Sequence, residues 1–236
     1  MNRELWTNVR LMVAAVQSED FDSTPHVINW SSFLIQAGRL VEEKKIFMQR
    51  SQAMPLDFAR SQLAQAAANP ENGFTHMFMY DCDMDISLEI IEKLLSRGKD
   101  VVSGTYFMAG WQKDSQDRWW AYPCVAQRDK AYVTREEIKA AAAKDALIEV
   151  HGTGAGCLMV TAEALRAIGN PAFEFNWNIT NAGAAREGED YFFCRMARAS
   201  GYTVYMDPTV IVDHYKYIRV GMALRDMNGR PIHEFE

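Results

Sequence analysis

Short apolar runs alternate with segments of helical period along most of the chain. The runs at 10–16, 75–80 and 100–104 have the length and content of buried strands. Between the last two runs, Ser87 can cap a helix whose apolar residues share one face. Residues 75–104 are therefore predicted to form a strand–helix–strand unit that contains a parallel pair of strands.

The rest of the chain continues this alternation less regularly. Further strands are predicted at 44–49, 156–160, 202–206 and 209–214, and further helices at 55–68, after the Thr134–Glu137 capping-box pair, at 161–168 and at 189–200. Residues 170–188 show no clear period and are predicted to be a mobile loop. Because the sequence has no internal repeat and no low-complexity linker, it favours a single α/β domain.

Composition narrows the class of protein. The chain has 236 residues, of which 48% are hydrophobic and 24% are charged, as in ordinary globular proteins. No apolar run approaches the roughly 18 residues that a membrane span needs, and the first residues do not resemble a signal peptide. Four widely spaced cysteines favour a reduced, cytosolic protein over a disulfide framework or a cysteine zinc site. A net charge of −6 gives no general attraction to nucleic acid, although a local basic patch is compatible with it.

An acidic turn follows the apolar run at 75–80. Asp81 and Asp83 would leave this strand at the edge where open α/β sheets bind ligands. Two carboxylates one residue apart can hold one hard divalent cation, Mg²⁺ or Mn²⁺. The alternative is a solvated turn that caps the following helix. A third acid, Asp85, makes Asp83-x-Asp85 a second candidate for the metal pair.

Three stretches, taken in order, resemble a known family. They are FMYDCDMDISLEIIEKLLSRGKDVVSGTYF (78–107), HGTGAGCLMVTAEALRAIG (151–169) and GEDYFFCRMARASGYTVYMDPTVIVDHY (188–215). In these stretches the sequence resembles the GT-A glycosyltransferases, especially the compact, inverting, family-2-like enzymes often carried by phages and bacteria. The resemblance implies a single GT-A (nucleotide-diphospho-sugar transferase) domain, with a mostly parallel central sheet flanked by helices.

The resemblance covers roughly residues 53–107 and 150–215. It implies one domain over residues 1–236, with the following division: mainly the donor-nucleotide side at 1–107, mainly the acceptor side at 108–215, and a C-terminal tail at 216–236.

The same resemblance implies a metal site and a catalytic base. Asp81 and Asp83 match the D-x-D turn that holds Mn²⁺ or Mg²⁺ and, through it, the diphosphate of a sugar nucleotide. Asp83 would be the direct ligand, and Asp81 would contact the ribose of the donor or a metal-bound water. His214 matches a late histidine that ligates the metal, and the alternative is a hydrogen-bonded histidine at a strand end. Asp190, with Glu189 as second choice, matches the acid that deprotonates the acceptor hydroxyl. The alternative is that both acids only satisfy the amides of a helix N-terminus.

Donor binding is assigned to a further set of residues. Gln17, Ser18, Asp20 and Asp22 follow the first strand, where the nucleotide base would lie. Arg60 could meet a phosphate, or it could pair at the surface or within its helix. The glycine run at 152–156 does not match G-x-G-x-x-G, so a dinucleotide fingerprint is not indicated. In the family, a glycine at Gly154 would let the backbone approach the sugar. A plain tight bend would also explain it.

The sequence therefore predicts a metal-dependent, inverting glycosyltransferase. The donor would be a nucleotide-diphosphate sugar, most readily a UDP- or GDP-sugar, and the acceptor a hydroxyl of a glycan or of a modified base in phage DNA. Residues 106–132 interleave aromatic side chains with lysines and arginines, which suits stacking on sugars or unpaired bases. A nucleotidyltransferase and a non-catalytic sugar- or nucleotide-binding module are the alternatives. The expected location is the cytoplasm, that of the host if the protein is phage-encoded.

Overall fold

The chain forms a layered α/β structure in which β-strands are separated by helices or loops. The computed structural model describes residues 3–16, 24–51, 55–112, 118–124, 127–128, 131–180, 183–215, 218–220 and 224–226. The helices are α1 (Thr24–Glu42), α2 (Leu56–Ala68), α3 (Leu88–Ser96), α4 (Arg135–Ala142), α5 (Ala162–Ile168) and α6 (Glu189–Ala199).

The strands fall into one large sheet and three short hairpins. They are β1 (Leu11–Val16), β2 (Ile46–Arg50), β3 (His76–Asp81), β4 (Val101–Gln112), β5 (Arg118–Pro123), β6 (Gln127–Arg128), β7 (Ala131–Tyr132), β8 (Ile148–Val150), β9 (Cys157–Thr161), β10 (Asn176–Thr180), β11 (Gly183–Glu187), β12 (Val204–Val212), β13 (Ile218–Val220) and β14 (Leu224–Asp226). The large sheet has the order β2-β1-β3-β9-β4-β12-β8, and β5 pairs with the outer part of β4.

The central sheet is mixed. Strand β1 is parallel to β2 and β3, and β4 is parallel to β12, whereas β9 and β8 run against their neighbours. The prediction of a mostly parallel sheet is therefore wrong. The predicted strand–helix–strand unit exists as β3, α3 and β4, but β9 lies between the two strands, so they share a direction without pairing.

Helices cover both faces of the sheet, as the continuous burial of β1 requires. Along β1, Met12 and Ala14 point into a core formed with α2, α4, α5 and α6. Leu11 and Val13 point into a second core formed with α1 and α3. The chain is thus a three-layer α/β domain, which agrees with the fold class predicted from the apolar runs.

Predicted helix caps are confirmed in two places. The Ser87 hydroxyl accepts a hydrogen bond from the Ile90 amide at the start of α3. Thr134 and Glu137 form the expected capping box at the start of α4. These signals depend on adjacent residues only, which is why the sequence contains them.

Two element predictions are wrong. Part of the predicted loop at 170–188 forms the antiparallel hairpin of β10 and β11. The predicted strands at 202–206 and 209–214 are one strand, β12, whose pairing with β4 shifts register between Asp207 and Ile211. This irregularity lets Pro208 sit within the strand, since proline cannot donate to a regular ladder.

Candidate active site

The candidate site lies at the carboxyl edge of the sheet, the edge at which α/β sheets bind ligands. Asp81 is the last residue of β3, and His214 follows the end of β12 by two residues. Arg60 lies in the first half of α2, and Glu189 and Asp190 open α6. The structure thus brings the acidic turn, the late histidine and the acidic pair to the same edge, although they are far apart in sequence.

The acidic turn is fixed to the segment after β12. The amide of Asp85 donates to the carbonyl of Asp213 at 2.9 Å, and the amide of Tyr215 donates to the carbonyl of Asp83 at 2.8 Å. Burial and the neighbouring carboxylate of Asp213 raise the pKa of Asp85. This backbone pairing is the physical reason that Asp83 and His214 meet across 131 positions of sequence.

Asp83 and His214 form a close pair. The Nε2 atom of His214 lies 2.9 Å from Oδ2 of Asp83, and its Nδ1 atom lies 3.1 Å from the carbonyl oxygen of Phe107. Both ring nitrogens therefore face oxygen acceptors, and both contacts are hydrogen bonds only when both nitrogens carry protons. A cation bound by both Nε2 and Oδ2 would replace the proton shared between them, while the Phe107 carbonyl continued to orient the ring.

The spacing of this pair fits a divalent cation. Neighbouring ligands of an octahedral Mg²⁺ or Mn²⁺ ion lie about 2.1 Å from the metal and so about 3 Å from each other, close to the separation of Asp83 and His214. Such ions commonly keep one or two protein ligands and complete their shell with phosphate oxygens and water. In the part of the chain that the structure describes, no three acidic, histidine or cysteine side chains share a position suited to one metal ion.

Asp81 has a different partner. Its Oδ1 atom accepts a hydrogen bond from Nη2 of Arg60 at 2.6 Å, and Nη1 of the same guanidinium donates to Oε1 of Glu189 at 2.7 Å. Arg60 is only 3% exposed. Burial opposes its charge, but the carboxylates of Asp81 and Glu189 outweigh burial and raise the pKa of Arg60. The sequence left open whether Arg60 meets a phosphate or pairs at the surface or within its helix, and the structure places it, buried, between two carboxylates.

The two acids at the start of α6 have different surroundings. Glu189 is buried and paired with Arg60. Asp190 accepts a hydrogen bond from the amide of Tyr191 at 2.8 Å, and no cation among the described residues is paired with it. Burial raises the pKa of both carboxyl groups, and the charge of Arg60 offsets this in part. Asp190 is thus the acid of this pair that is available to exchange a proton.

The glycine run packs against side chains of the protein itself. A Cβ atom on Gly156 would lie 2.6 Å from Met84 and 2.9 Å from Oδ2 of Asp81. A Cβ atom on Gly154 would overlap the hydroxyl of Tyr106. The glycines are therefore needed for internal packing around Asp81 and Tyr106, and the predicted contact between Gly154 and a ligand stays a prediction.

Tyr106 is a site residue that the sequence did not reveal. It was grouped with the aromatic residues of a surface for the acceptor, yet it is buried, and its hydroxyl accepts a hydrogen bond from the amide of Gly156 at 3.1 Å. Burial, followed by the nearby Cys124 and Asp81, raises its pKa. No local pattern marks this role, because it depends on β4 lying beside β9 in the sheet.

Some predicted residues fall outside the described part of the chain. Gln17, Ser18, Asp20 and Asp22 belong to this group, so their contact with the nucleotide base stays a prediction. Within the aromatic stretch predicted at 106–132, the structure describes a hairpin of β4 and β5. Its strands pair from Phe107 with Pro123 to Gln112 with Arg118.

Comparisons with known proteins bear on the fold. No family model matches the sequence, and no curated protein is similar to it. Among solved structures, A197 from STIV is similar with a TM-score of 0.52 and 16% identity, over 97% of this chain and 98% of the other. The two chains share a fold. GalNAc-T7, whose structure contains UDP, GalNAc and Mn²⁺, is similar over 88% of this chain and 44% of its own, with a TM-score of 0.47 and 12% identity.

None of the helices in the described ranges is long and apolar enough to span a membrane.

Proposed function

We propose that the protein is a metal-dependent glycosyltransferase of the GT-A type, which moves a sugar from a nucleotide-diphosphate donor to an acceptor hydroxyl. The observation that carries the proposal is the meeting of the Asp83–His214 pair with the Asp81–Arg60–Glu189 cluster at the carboxyl edge of the sheet. The order of the corresponding sequence motifs supports the same family. A UDP- or GDP-sugar is the donor class that this proposal favours, with a glycan or a modified DNA base as acceptor.

Asp83 and His214 would hold Mn²⁺ or Mg²⁺. The cation, when bound, would neutralise the charge that develops on the diphosphate leaving group. The Phe107 carbonyl orients the His214 ring toward Asp83 by its contact with the other ring nitrogen. Asp81 takes no part in this pair, because its carboxylate is held by Arg60.

Asp190 would accept the proton of the acceptor hydroxyl. Its carboxylate lies in the first turn of α6 and accepts a hydrogen bond from the Tyr191 amide, which fixes its direction. Because burial raises the pKa of Asp190, its carboxylate is a stronger base than an exposed one. A positioned general base of this kind contributes about 10²–10⁴-fold to the rate. Glu189 is less suited to this role, since its charge is already engaged by Arg60.

Thermal shift measurements with nucleotides test the proposal. UDP, GDP, CDP and dTDP are each added with and without Mn²⁺ to the wild type and to Asp83→Asn. At a concentration 100 times its Kd, a nucleotide that binds only the folded state adds about 2.7 kcal/mol to the free energy of unfolding. We expect one nucleotide to raise the Tm of the wild type by about 2–4 °C per kcal/mol in a Mn²⁺-dependent manner. The shift should be lost in Asp83→Asn.

The control variant is Glu71→Gln, which also removes one negative charge but lies in an exposed turn before β3, at the other edge of the sheet. It should respond to nucleotide and Mn²⁺ as the wild type does. Transfer is then measured as release of the matching nucleoside diphosphate from its sugar conjugates. Binding without any release would favour the non-catalytic binding module, and no Mn²⁺-dependent shift with any nucleotide would overturn the proposal.

A further inference from the structure

A short segment that begins at Tyr132 and ends at Arg135 lies beside both halves of the candidate site. At its end, the Cζ atom of Arg135 lies 5.6 Å from the centre of the Phe107 ring. The carbonyl of Phe107 in turn contacts the ring of His214, on the metal side of the site. At its start, Tyr132 lies near Tyr191, which directly follows the proposed base in the chain. The segment thus extends from the proposed base to the proposed metal pair.

The ring of Tyr191 is held in place beside the proposed base. A Cβ atom on Gly152 would lie 2.6 Å from Cδ1 and 2.8 Å from Cε1 of Tyr191, so the ring rests against the glycine backbone. Burial raises the pKa of Tyr191, and the neighbouring carboxylate of Asp190 raises it further. Cys124 and Tyr132 act in the same direction, so they also lie near its hydroxyl. Because the side chain is only half-buried, Tyr191 offers a fixed and partly exposed aromatic surface next to Asp190.

Tyr132 is an exposed aromatic residue on a fixed backbone. The residue is 59% exposed. Its backbone pairs with Gln127 in the hairpin of β6 and β7, and Thr134, two residues later, begins α4 with a capping box. A tyrosine on such a backbone loses little conformational freedom when a ligand packs against it. Tyr132 and Tyr191 together therefore present two aromatic rings on the base side of the site.

The charge at this edge of the sheet favours an uncharged acceptor. The described part of the edge carries the carboxylates of Asp81, Asp83, Asp85, Glu189, Asp190 and Asp213. Arg60 compensates two of them. A DNA strand would bring a phosphate on each side of the target base into this acidic region, and like charges repel. The cation of the proposed function would be matched by the charge of the donor diphosphate, so it would not reverse this balance.

A sugar ring suits two tyrosines beside a base. The face of an aromatic ring is negative, so it attracts the weakly positive C–H groups on one face of a hexose. A hexose packed in this way has its hydroxyl groups at the rim, where one of them can meet the carboxylate of Asp190. A nucleobase also stacks on tyrosine, so the charge of the surroundings, and not stacking, distinguishes the two acceptors.

We propose that Tyr132 and Tyr191 form the acceptor subsite beside Asp190 and that this subsite takes an uncharged sugar ring, so that the acceptor is a glycan. This inference rests on the proposed function and narrows it, because it excludes a modified DNA base as the acceptor. Tyr132 then contributes to the binding of the acceptor and not to that of the donor.

Saturation-transfer difference NMR tests the subsite without any need for turnover, because it detects weak binding of free sugars. The probes are the methyl glycosides of glucose, galactose, mannose and N-acetylglucosamine. Each is added to the wild type together with Mn²⁺ and the nucleoside diphosphate that stabilises the protein. We expect at least one glycoside to bind. An oligonucleotide that contains 5-hydroxymethylcytosine should not displace it.

Tyr132→Leu should weaken the binding of that glycoside by about fivefold or more, because the aromatic face is lost. Tyr132→Phe keeps this face and should stay within about twofold of the wild type. Because Tyr132 is 59% exposed, neither change should impair folding. The Mn²⁺-dependent rise in Tm with the nucleoside diphosphate should be the same in all three proteins, which a general loss of structure would not allow.

Tyr191→Leu should weaken glycoside binding in the same way, and Tyr205→Leu is its control. Tyr205 is also a half-buried tyrosine, and its ring centre lies 4.7 Å from Nζ of Lys99. It is the second residue of β12, so it lies at the opposite end of that strand from His214. Tyr205→Leu should bind the glycoside as the wild type does.

The outcomes separate this inference from the proposed function. Equal glycoside binding by the wild type and by Tyr132→Leu would overturn the subsite. Binding of the oligonucleotide in place of any glycoside, or transfer to its hydroxymethyl group, would overturn the sugar acceptor and leave the transferase proposal intact. A wild type that binds a nucleotide with Mn²⁺ but none of the glycosides would also overturn this inference alone. If no nucleotide binds, the proposed function fails, and this inference fails with it.

Discussion

At the scale of single residues, the candidate site contains several buried charged groups, and burying them lowers the stability of the fold. Glu189 and Asp190 are neighbours, and burial raises the pKa of both carboxyl groups. Arg60 compensates Glu189 directly, whereas the Asp190 side chain accepts a hydrogen bond from the backbone amide of Tyr191. Groups whose ionised form is disfavoured in this way often serve a reaction at the expense of stability.

Asp190→Asn is expected to stabilise the protein at pH 7. The asparagine keeps the Oδ1 acceptor for the Tyr191 amide and removes a charge that the fold disfavours. Because the folded-state pKa of Asp190 is raised, the wild type loses stability relative to the variant as pH rises through the unfolded-state pKa of about 3.9 and then the folded-state value. The gain in the free energy of unfolding should therefore be absent below about pH 3 and should grow as the pH rises above the unfolded-state pKa, as urea denaturation across pH would show.

Asp57→Asn is the matched control for this prediction. Asp57 also lies in the first turn of a helix, and its Oδ1 atom accepts a hydrogen bond from the next amide, that of Phe58, at 2.9 Å. Asp57 is only half-buried. Its replacement should lower the free energy of unfolding by about 0.3–1 kcal/mol, because the interaction of its charge with the helix dipole is lost. Equal stability effects of the two variants at pH 7 would contradict the account of Asp190.

Gly156→Ala is expected to disturb the site through close contacts. The added Cβ would lie 2.6 Å from Met84, 2.9 Å from Asp81 and 3.1 Å from Tyr106, so neighbouring groups must move. Overpacking of this kind costs about 1–3 kcal/mol, and nucleotide binding should weaken with it. Gly38→Ala, in α1, meets nothing within 4 Å and should instead stabilise the protein by about 0.5–1 kcal/mol. Thermal unfolding of both variants distinguishes the two cases, and a neutral Gly156→Ala would contradict this packing.

At the scale of elements, α3 shows how local signals and packing combine. Ser87 caps its first turn, and Leu88, Ile91, Leu94 and Leu95 are buried against the sheet. The cap fixes where the helix begins, and the apolar face fixes which side is turned to the core. Both signals are contained in nine adjacent residues and the one before them. The bounds of this helix were accordingly predictable.

Ser87→Ala should lower the free energy of unfolding by about 1 kcal/mol, because the amide of Ile90 loses its acceptor. Ser96→Ala makes the same chemical change at the exposed end of the same helix. It should be close to neutral, since alanine is the better helix former. Urea denaturation of the two variants is the test, and equal losses would show that the cap contributes nothing specific.

The hairpin of β10 and β11 shows the limit of local signals. It has five residue pairs, from Asn176 with Glu187 to Thr180 with Gly183. Polar and apolar residues alternate at 176–180, but that run is only five residues long, and residues 183–187 show no such alternation, so the sequence pattern of the pair is weak. The hairpin is held by backbone pairing and, at its base, by contacts such as that of Arg195 with Glu187, both nitrogen–oxygen distances being 2.9 Å. A strand of this kind can be recognised only when its pairing partner is known.

At the scale of the whole molecule, Arg97 joins parts of the chain that are more than 100 residues apart. It follows α3 and contacts Asp207 and Thr209 of β12 and Asp145 in the turn after α4. Asp207 is fully buried, so this guanidinium compensates a carboxylate that has no access to water. The contact thus joins the end of α3, the middle of β12 and the turn after α4.

Arg97→Met is expected to cost about 3–5 kcal/mol of the free energy of unfolding, because it leaves the buried carboxylate of Asp207 without its cation. Asp145→Asn removes the exposed partner of the same guanidinium and should cost at most about 1 kcal/mol. Asparagine also tolerates the positive φ of 50° at position 145. If urea denaturation gave the two variants the same stability, the buried part of this contact would be unimportant.

The sequence by itself determined the class of the fold and the chemical types at the site. Apolar runs of strand length, the caps at Ser87 and Thr134, and the acidic pairs at 81–83 and 189–190 are local features, and each depends on residues that are adjacent in the chain. Interactions between adjacent residues, such as helix capping, are the same whatever fold surrounds them. For that reason their secondary structure was predicted well, and the acids could be nominated as site residues.

Only the tertiary structure determined which strands pair and which side chains contact each other. The antiparallel insertion of β9 between β3 and β4 made the sheet mixed, and the same arrangement placed Tyr106 beneath the glycine run. The pairing of Arg60 with Asp81 and Glu189, and of Asp83 with His214, joins residues 21 to 131 positions apart. Charge compensation acts through space over a few ångströms, so no pattern of neighbours along the chain could assign these contacts.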